Sequence, residues 1–184
     1  MRLVLGLGNP GDTYERTRHN AGFLALDETA RYWQATQWKE DAKRKAWTAK
    51  ATYDGETWIL AKPTTFMNLS GEAARALVDF YDVDVATEFL VMYDDIDIPL
   101  GEIRTTGTSS GGHNGMKSLF QHLGTQELKR VRIGIDSKTR PEQMDTADYV
   151  LQRFTEEELN TLHPALTAAH ESAFKQLYTD RLSS

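Results

Sequence analysis

The sequence contains no cysteine. This absence excludes disulfides, thiolate metal sites and cysteine nucleophiles, and it leads us to expect a reducing, cytoplasmic compartment. No apolar run approaches the roughly 20 residues that a membrane-spanning helix needs, so we expect no membrane association. The short apolar run at the N-terminus meets Asn9 and Pro10, and we therefore do not expect it to be a signal peptide.

Two catalytic motifs are missing, and acidic residues outnumber basic ones. Without a G-x-S-x-G motif, a serine hydrolase lacks its nucleophile elbow. No glycine-rich loop carries the Lys and Ser/Thr of a metal–phosphate site. The net charge of −6, taken alone, argues against a nucleic-acid partner. However, residues 1–62 carry ten Lys and Arg against eight Asp and Glu, and residues 141–184 carry three against eight. An acidic C-terminal segment can coexist with a basic face elsewhere.

The length of 184 residues predicts one domain spanning 1–184. Runs typical of strands are Arg2–Leu7, Ala46–Tyr53, Thr57–Lys62, Phe89–Tyr93, Glu102–Thr106 and Arg130–Ile135. Runs typical of helices are Ala21–Trp33, Gly71–Tyr81, Asn114–Leu123 and Glu156–Leu182, the last with a break or kink expected at Pro164. The stretch "TYDGET" predicts a hairpin turn. The alternation of strands and helices indicates an α/β fold with a mixed sheet flanked by helices.

In α/β sheets, ligands bind beyond the carboxyl ends of the strands. The loops that follow the predicted strands are therefore the places to look for a site. They are residues 8–13, 63–69, 94–97 and 107–115.

The first of these loops, in "LVLGLGNPGDTY", has the G-x-G-x-x-G spacing of a dinucleotide-binding loop. That motif needs a helix to start inside the loop. Here Pro10 removes one backbone N–H, and helical periodicity begins only near Ala21. A dinucleotide-dependent oxidoreductase is thus disfavoured relative to a simple tight turn, or to a turn that places Asn9 at a strand end as a polar contact.

Two further stretches combine an asparagine with a histidine or with an apolar pair. In "TRHNAGF", His19 is either part of a helix cap or a general base placed after a strand end. In "KPTTFMNLSG", Phe66 and Met67 either anchor the loop or form one wall of a site whose polar group is Asn68.

The acidic stretch "VMYDDIDIPLG" allows three interpretations. Asp94, Asp95 and Asp97 could bind Mg²⁺, could form a solvated turn, or could supply one carboxylate that orients a histidine. The glycine-rich "GTSSGGHNGMKS" is either a mobile surface loop or a phosphate cradle, with His113 and Asn114 able to bond a carbonyl. Together, a histidine, carboxylates and several asparagines fit a base that activates water while amide donors hold a carbonyl.

Five blocks of the sequence resemble the bacterial-type peptidyl-tRNA hydrolases in order and spacing. They are "GLGNPG…TRHNAG", "PTTFMNLSG", "DDIDIPLG", "GGHNGMKS" and "RVRIGI". The resemblance runs from Leu3 to about Phe154 and includes "DYVLQRF". It implies a monomeric domain with a twisted mixed sheet, acting without a metal or other cofactor. It also implies hydrolysis of the ester between a peptide and the 3′-terminal ribose of tRNA. The alternative functions are a dinucleotide-dependent oxidoreductase and a non-catalytic tRNA-binding module. The partner would be peptidyl-tRNA: its acceptor stem, CCA end and peptide.

The resemblance also assigns site residues. It implies that His19 is the catalytic base and that Asp94 holds the orientation of its ring. The residues that it places around the substrate are Asn9, Tyr14, Met67, Asn68 and Asn114. An amide that donates to the oxyanion could contribute about 3 kcal/mol, although the sequence does not say which asparagine does so.

The resemblance implies a basic clamp on the tRNA 5′-phosphate. Arg132 matches the arginine of the "RIGI" strand, but Thr106 stands where a Lys or Arg is usual. Either the clamp is weaker here, or Arg104, Lys117 or Lys129 takes the place of that missing cation. Gln152 replaces a small residue of the family, and the sequence suggests no function for it.

Overall fold

The computed structural model describes residues 1–178. Seven strands form one sheet in the order β2-β3-β4-β1-β5-β7-β6. Their bounds are β1 Arg2–Gly6, β2 Lys39–Asp41, β3 Ala46–Tyr53, β4 Glu56–Pro63, β5 Phe89–Pro99, β6 Ile103–Arg104 and β7 Lys129–Asp136. The helices are α1 Ala21–Tyr32, α2 Ser70–Tyr81, α3 Asn114–Leu123, α4 Thr146–Leu151 and α5 Glu156–Tyr178. Short 3₁₀ turns span Arg18–Asn20, Ala42–Arg44 and Met67–Leu69.

The sheet is mixed, as the sequence predicts. Its centre is parallel, with β1 between β4 and β5 and with β7 beside β5. The pairs β2–β3, β3–β4 and β6–β7 are antiparallel. The predicted hairpin is confirmed: Tyr53 pairs with Glu56, and Asp54 and Gly55 both adopt positive φ in the two-residue turn.

Two apolar cores lie on opposite faces of the sheet. Successive residues of β1 alternate between them, with Val4 in one core and Leu3 and Leu5 in the other. A parallel central strand buried on both faces needs such a continuous apolar run. Helices α1 and α5 cover one face, and α2 and α3 cover the other.

Four features differ from the sequence predictions. The short edge strand β2 and the six-residue α4 are missed because neither is long enough to show periodicity. Residues 94–97, predicted as a loop, belong to β5, which keeps its pairing with β7 through Asp95. Pro164 lies inside α5 without ending it. Residues 179–182 of the last predicted helix lie outside the described residues.

Within residues 1–178, no helix is both long and apolar enough to cross a membrane.

Candidate active site

The 3₁₀ turn that carries His19 is brought to the end of the parallel strands by a close helix–strand contact. Helix α1 starts directly after this turn, and its Gly22 lies against the backbone of Leu7 and Met92. A Cβ at Gly22 would stand 2.4 Å from the Met92 carbonyl oxygen, so only glycine permits this approach. The turn is thereby held beside β5, which carries Asp94.

One carboxylate joins two histidines at the bottom of a cleft. His19 Nδ1 lies 2.9 Å from Asp94 Oδ2, and His113 Nε2 lies 2.8 Å from Asp94 Oδ1. The exposed fractions of these side chains are 12% for His19, 2% for Asp94 and 8% for His113. The cleft has a volume of about 460 Å³, and residues of β5, of the loop before α3 and of α4 line it. The predicted pairing of His19 with Asp94 is present in the structure.

Hydrogen bonding fixes the protons on both rings. His113 precedes α3, and its Nδ1 accepts from the backbone N–H groups of Gly115 and Met116. Its proton must therefore lie on Nε2 and be donated to Asp94, because an ionised carboxylate only accepts. The other carboxylate oxygen accepts from His19 Nδ1–H. The Nε2 lone pair of neutral His19 is then available to a water molecule.

Electrostatics reinforce this arrangement. Burial by itself would lower the pKa of His19, but the charge and hydrogen bond of Asp94 outweigh burial and raise that pKa above 6.5. Burial by itself would raise the pKa of the Asp94 carboxyl, but attraction and hydrogen bonds from the two histidines hold it well below 3.8. Asp94 is thus a buried anion at neutral pH, and it stabilises a positive charge on His19.

A second network orients Asn9 at the end of β1. Its backbone N–H donates to Asn20 Oδ1 (2.8 Å), and its carbonyl accepts from Asn20 Nδ2 (3.0 Å). Its side-chain Oδ1 accepts from the Met67 backbone N–H at 2.7 Å. Because Met67 occupies the oxygen, the amide group that Asn9 has left to offer is the Nδ2 donor.

The remaining predicted substrate contacts lie on three neighbouring segments. Met67 is buried under the start of α3, and a Cβ on Gly115 would stand 2.6 Å from its sulfur. Asn68 follows it and is exposed on the same turn. Asn114, the first residue of α3, is exposed and lines the cleft with His19. Tyr14 packs edge-on against the exposed Phe66 at 6.3 Å between ring centroids.

Two of the four candidate phosphate contacts, Arg104 and Arg132, are neighbours. Arg104 pairs directly with Arg132 across β6 and β7. Arg132 Nε donates to Asp95 (2.9 Å) and Nη1 to the Thr106 carbonyl (2.8 Å), which orders the guanidinium at the end of the sheet. Arg104 is exposed, with a long contact of 3.4 Å to Glu102. The structure places Lys117 on the exposed face of α3.

The carboxylates of Asp94, Asp95 and Asp97 do not assemble into a metal site. Asp95 is occupied by Arg132 and by the Asp97 backbone N–H. Within residues 1–178, the group with metal-binding spacing is instead His19, Asp94 and His113, whose ligand atoms lie within 4.8 Å. His113 Nε2 carries a proton in this hydrogen-bond pattern, so it has no lone pair for a cation. The donor set does not fit a metal.

The G-x-G-x-x-G loop serves packing. A Cβ on Gly6 would stand 2.7 Å from the Gly22 carbonyl oxygen, and one on Gly8 would touch the Phe23 ring at 2.7 Å. No α-helix starts inside this loop. Gly6 and Gly8 let α1 lie close to β1 and the loop after it, and the dinucleotide interpretation loses its basis.

His113 is a site residue whose contact with Asp94 the sequence does not predict. The relevant sequence signal is His113 directly before the helix that begins at Asn114, in a loop that follows a strand. That signal predicts a cap, and His113 does cap α3, but it does not predict that the other ring nitrogen reaches Asp94.

Comparisons of sequence and of structure find relatives among the peptidyl-tRNA hydrolases. The model of the peptidyl-tRNA hydrolase family matches residues 3–184. A peptidyl-tRNA hydrolase from Bacillus cereus is 49% identical over 94% of this chain and 90% of its own length. One from Geobacillus thermodenitrificans is 46% identical over 97% and 94%. The crystal structure of peptidyl-tRNA hydrolase from Acinetobacter baumannii superposes with a TM-score of 0.85 at 30% identity, covering 100% of this chain and 91% of that one.

Proposed function

The chain belongs to the peptidyl-tRNA hydrolase family, and we propose that His19 is the general base with which it hydrolyses the ester of peptidyl-tRNA. The reaction releases a free peptide and a free tRNA. The observation that carries the assignment of His19 is its geometry: Nδ1 is held by buried Asp94, and the ring lines an open cleft.

The chemistry follows from the proton positions. Neutral His19 takes a proton from water at Nε2 while the water oxygen attacks the ester carbonyl carbon. The positive charge that develops on the ring is stabilised by Asp94. The protonated ring can then return the proton to the departing 3′ oxygen of the ribose. A ribose alkoxide is a good enough leaving group that no covalent enzyme intermediate is required.

Asn9 is proposed as an amide donor to the substrate, because its side chain is held by hydrogen bonding. Its oxygen is occupied by the Met67 N–H, so Nδ2 is the group that it presents. A preorganised donor of this kind strengthens as negative charge develops on the carbonyl oxygen, and it can contribute about 3 kcal/mol to the barrier. The exposed amides of Asn68 and Asn114 are proposed to hold the peptide backbone, with Met67 and Tyr14 as the adjoining wall.

Arg132 and Arg104 are proposed to bind a phosphate of the acceptor stem. They are adjacent at the β6–β7 edge, and β7 neighbours the strand that carries Asp94. The ordering of Arg132 by Asp95 lowers the entropy lost on binding. Lys117 is a further candidate contact. Together these cations are proposed to replace the Lys or Arg that is usual at the position of Thr106.

We propose that residues 1–184 act as one catalytic domain, as a monomer and in the cytoplasm. The described site residues all come from one sheet and its loops, so a single chain supplies them. Peptidyl-tRNA arises during translation, which fits that compartment.

The test is hydrolysis of N-acetyl-aminoacyl-tRNA, with unblocked aminoacyl-tRNA in parallel. The wild type is expected to release the acetylated amino acid in the presence of EDTA, and His19→Ala is expected to lose about 10²–10⁴-fold in kcat. His163→Ala, which changes an exposed histidine on α5, is the matched control and should behave as wild type. Unchanged turnover in His19→Ala would refute the base assignment.

A further inference from the structure

The turn that carries the catalytic base is attached to the C-terminal part of the chain by the residue next to it. Arg18 points away from the cleft into a buried contact with Glu158 at the start of α5. Its Nη2 lies 2.9 and 3.0 Å from the two carboxylate oxygens. Both side chains are 7% exposed. This pair lies outside the catalytic residues described above.

Arg18 also contacts α4 and the residue that follows it. Its Nη1 donates to the Tyr149 carbonyl and to Gln152 Oε1, both at 3.2 Å. Its guanidinium lies over the Tyr149 ring, 4.2 Å from the centroid. The Tyr149 hydroxyl in turn donates to the Ile135 carbonyl of β7 at 2.6 Å. The arginine thus connects the His19 turn to α4 and, through Tyr149, to the sheet. Gln152, for which the sequence suggested no function, is one of its acceptors.

Backbone hydrogen bonds run beside these side-chain contacts. Arg18 N–H donates to the Gln152 carbonyl, and Phe154 N–H donates to the Arg16 carbonyl, both at 3.0 Å. Thr17 and Arg153 form an isolated antiparallel bridge between them. Glu158 is itself fixed, since Oε2 accepts from the Thr155 N–H at 2.9 Å. The segment before His19 is therefore held on both its backbone and its side chain.

A buried ion pair is weak evidence for a stability role. Taking both charges out of water costs about as much as their attraction returns, and a well-packed apolar pair of similar volume often serves as well. What the guanidinium does supply is a defined geometry, because Nη2 bonds both oxygens of Glu158 while Nη1 bonds Tyr149 and Gln152. Here that geometry is imposed one residue away from an imidazole that must stay within hydrogen-bond distance of Asp94.

We propose that Arg18 and Glu158 are positioning residues for the hydrolysis, holding the His19 ring against Asp94 by fixing its turn to α4 and α5. This inference rests on the proposed role of His19. Neither side chain of the pair is proposed to contact the substrate. Loss of the pair should therefore lower kcat with little change in KM, and should let the pKa of His19 fall toward its ordinary value.

The experiment compares the double variant Arg18→Met/Glu158→Leu with the wild type. The single variant Arg18→Met leaves a buried, unpaired carboxylate and should have a much lower Tm, whereas the double variant should recover most of that loss. If the pair positions His19, the recovered double variant should still show kcat lowered by about 100-fold, the size of effect that a misplacement of about 1 Å can produce. The acid limb of its kcat/KM profile should also move to lower pH.

The chain offers a matched control in Arg16→Met/Glu156→Leu. Arg16 and Glu156 join the same two segments, 3.6 Å apart, but are 59% and 86% exposed. This control should keep the wild-type kcat and acid limb. A stable Arg18→Met/Glu158→Leu protein with wild-type kcat and acid limb would overturn the proposal, as would an equal loss in the control.

Two additional variants are measured, one in case the double variant does not fold and one to test the proposed base itself. If the double variant does not fold, Arg18→Lys retains the charge but cannot bond Glu158 and the Tyr149 and Gln152 acceptors from one planar group, and it should show lowered kcat and a shifted acid limb. A folded Arg18→Lys protein with a wild-type profile would count against positioning. His19→Ala is measured beside them. Retained hydrolysis in His19→Ala would disprove the proposed base itself, independently of what the Arg18 variants do.

Discussion

Replacing Asp94 with Asn tests the proton positions at the site. Two histidines donate to the two oxygens of Asp94, and an asparagine offers one acceptor and one donor. His113 cannot change its tautomer without losing the two backbone donors that its Nδ1 accepts. The Asn oxygen should therefore face His113, and its NH₂ should face His19.

The consequence for His19 is the wrong tautomer. Its Nδ1 would accept from the Asn amide, its proton would move to Nε2, and Nε2 could no longer take a proton from water. The analogous Asp-to-Asn change in a serine protease triad lowers kcat by about 10⁴-fold, and we expect a similar loss in kcat/KM for Asp94→Asn. A factor of that size corresponds to about 5 kcal/mol in the activation barrier.

Adding His113→Ala, which is harmful by itself, should partly restore the activity that Asp94→Asn loses. In Asp94→Asn/His113→Ala the asparagine is free to turn its oxygen toward His19, which restores the productive tautomer. The double variant should exceed Asp94→Asn in kcat/KM by about tenfold or more, or about 1.4 kcal/mol. It should also lose about 1 kcal/mol of stability with the helix cap.

The assay is hydrolysis of N-acetyl-aminoacyl-tRNA under single-turnover conditions, with Tm recorded for each variant. Asp94→Asn/His122→Ala is the control, because His122 lies on the same helix but bonds the Ser118 carbonyl. It should show no rescue. A double variant with His113→Ala that is no more active than Asp94→Asn would refute the tautomer argument.

Three other predictions concern stability and binding. Gly22→Ala should lower the free energy of unfolding by about 3 kcal/mol, because its Cβ meets the Met92 carbonyl at 2.4 Å; denaturant unfolding checks this. Arg132→Gln should raise KM with little change in kcat and reduce the slope of log affinity against log salt by about one, measured by tRNA titration at several salt concentrations. Because the pKa of Asp94 is lowered on folding, the stability that its carboxylate contributes should be complete above pH 3.8 and decline as pH falls below that value, which urea unfolding of wild type and Asp94→Asn between pH 2 and 6 would show.

The sequence predicts the layers of the fold well because the decisive signals are local. The dipeptide Asp54–Gly55 favours a two-residue hairpin turn, and the apolar run of residues 2–6 favours a buried strand. The extension of β5 through Asp94 could not be predicted from propensity, since aspartate is depleted in strands. It follows from tertiary contacts: His19 and His113 satisfy Asp94, and Arg132 satisfies Asp95.

The residues of the candidate site that lie near the carboxyl ends of the strands can be predicted from the sequence. His19 and Asp94 are 75 residues apart, yet the rule that strand ends meet at one edge brings them together. The side-chain directions that give His113 and Arg18 their roles depend on packing between distant segments. No spacing in the sequence encodes that Arg18 points to Glu158, 140 residues away.

The most direct measurement is the side-chain ¹⁵N spectrum of His19 recorded from pH 5 to 9. We predict that the neutral ring carries its proton on Nδ1, and that its pKa lies above 6.5 and coincides with the acid limb of kcat/KM. A neutral ring protonated on Nε2, or a pKa that does not match that limb, would contradict the account.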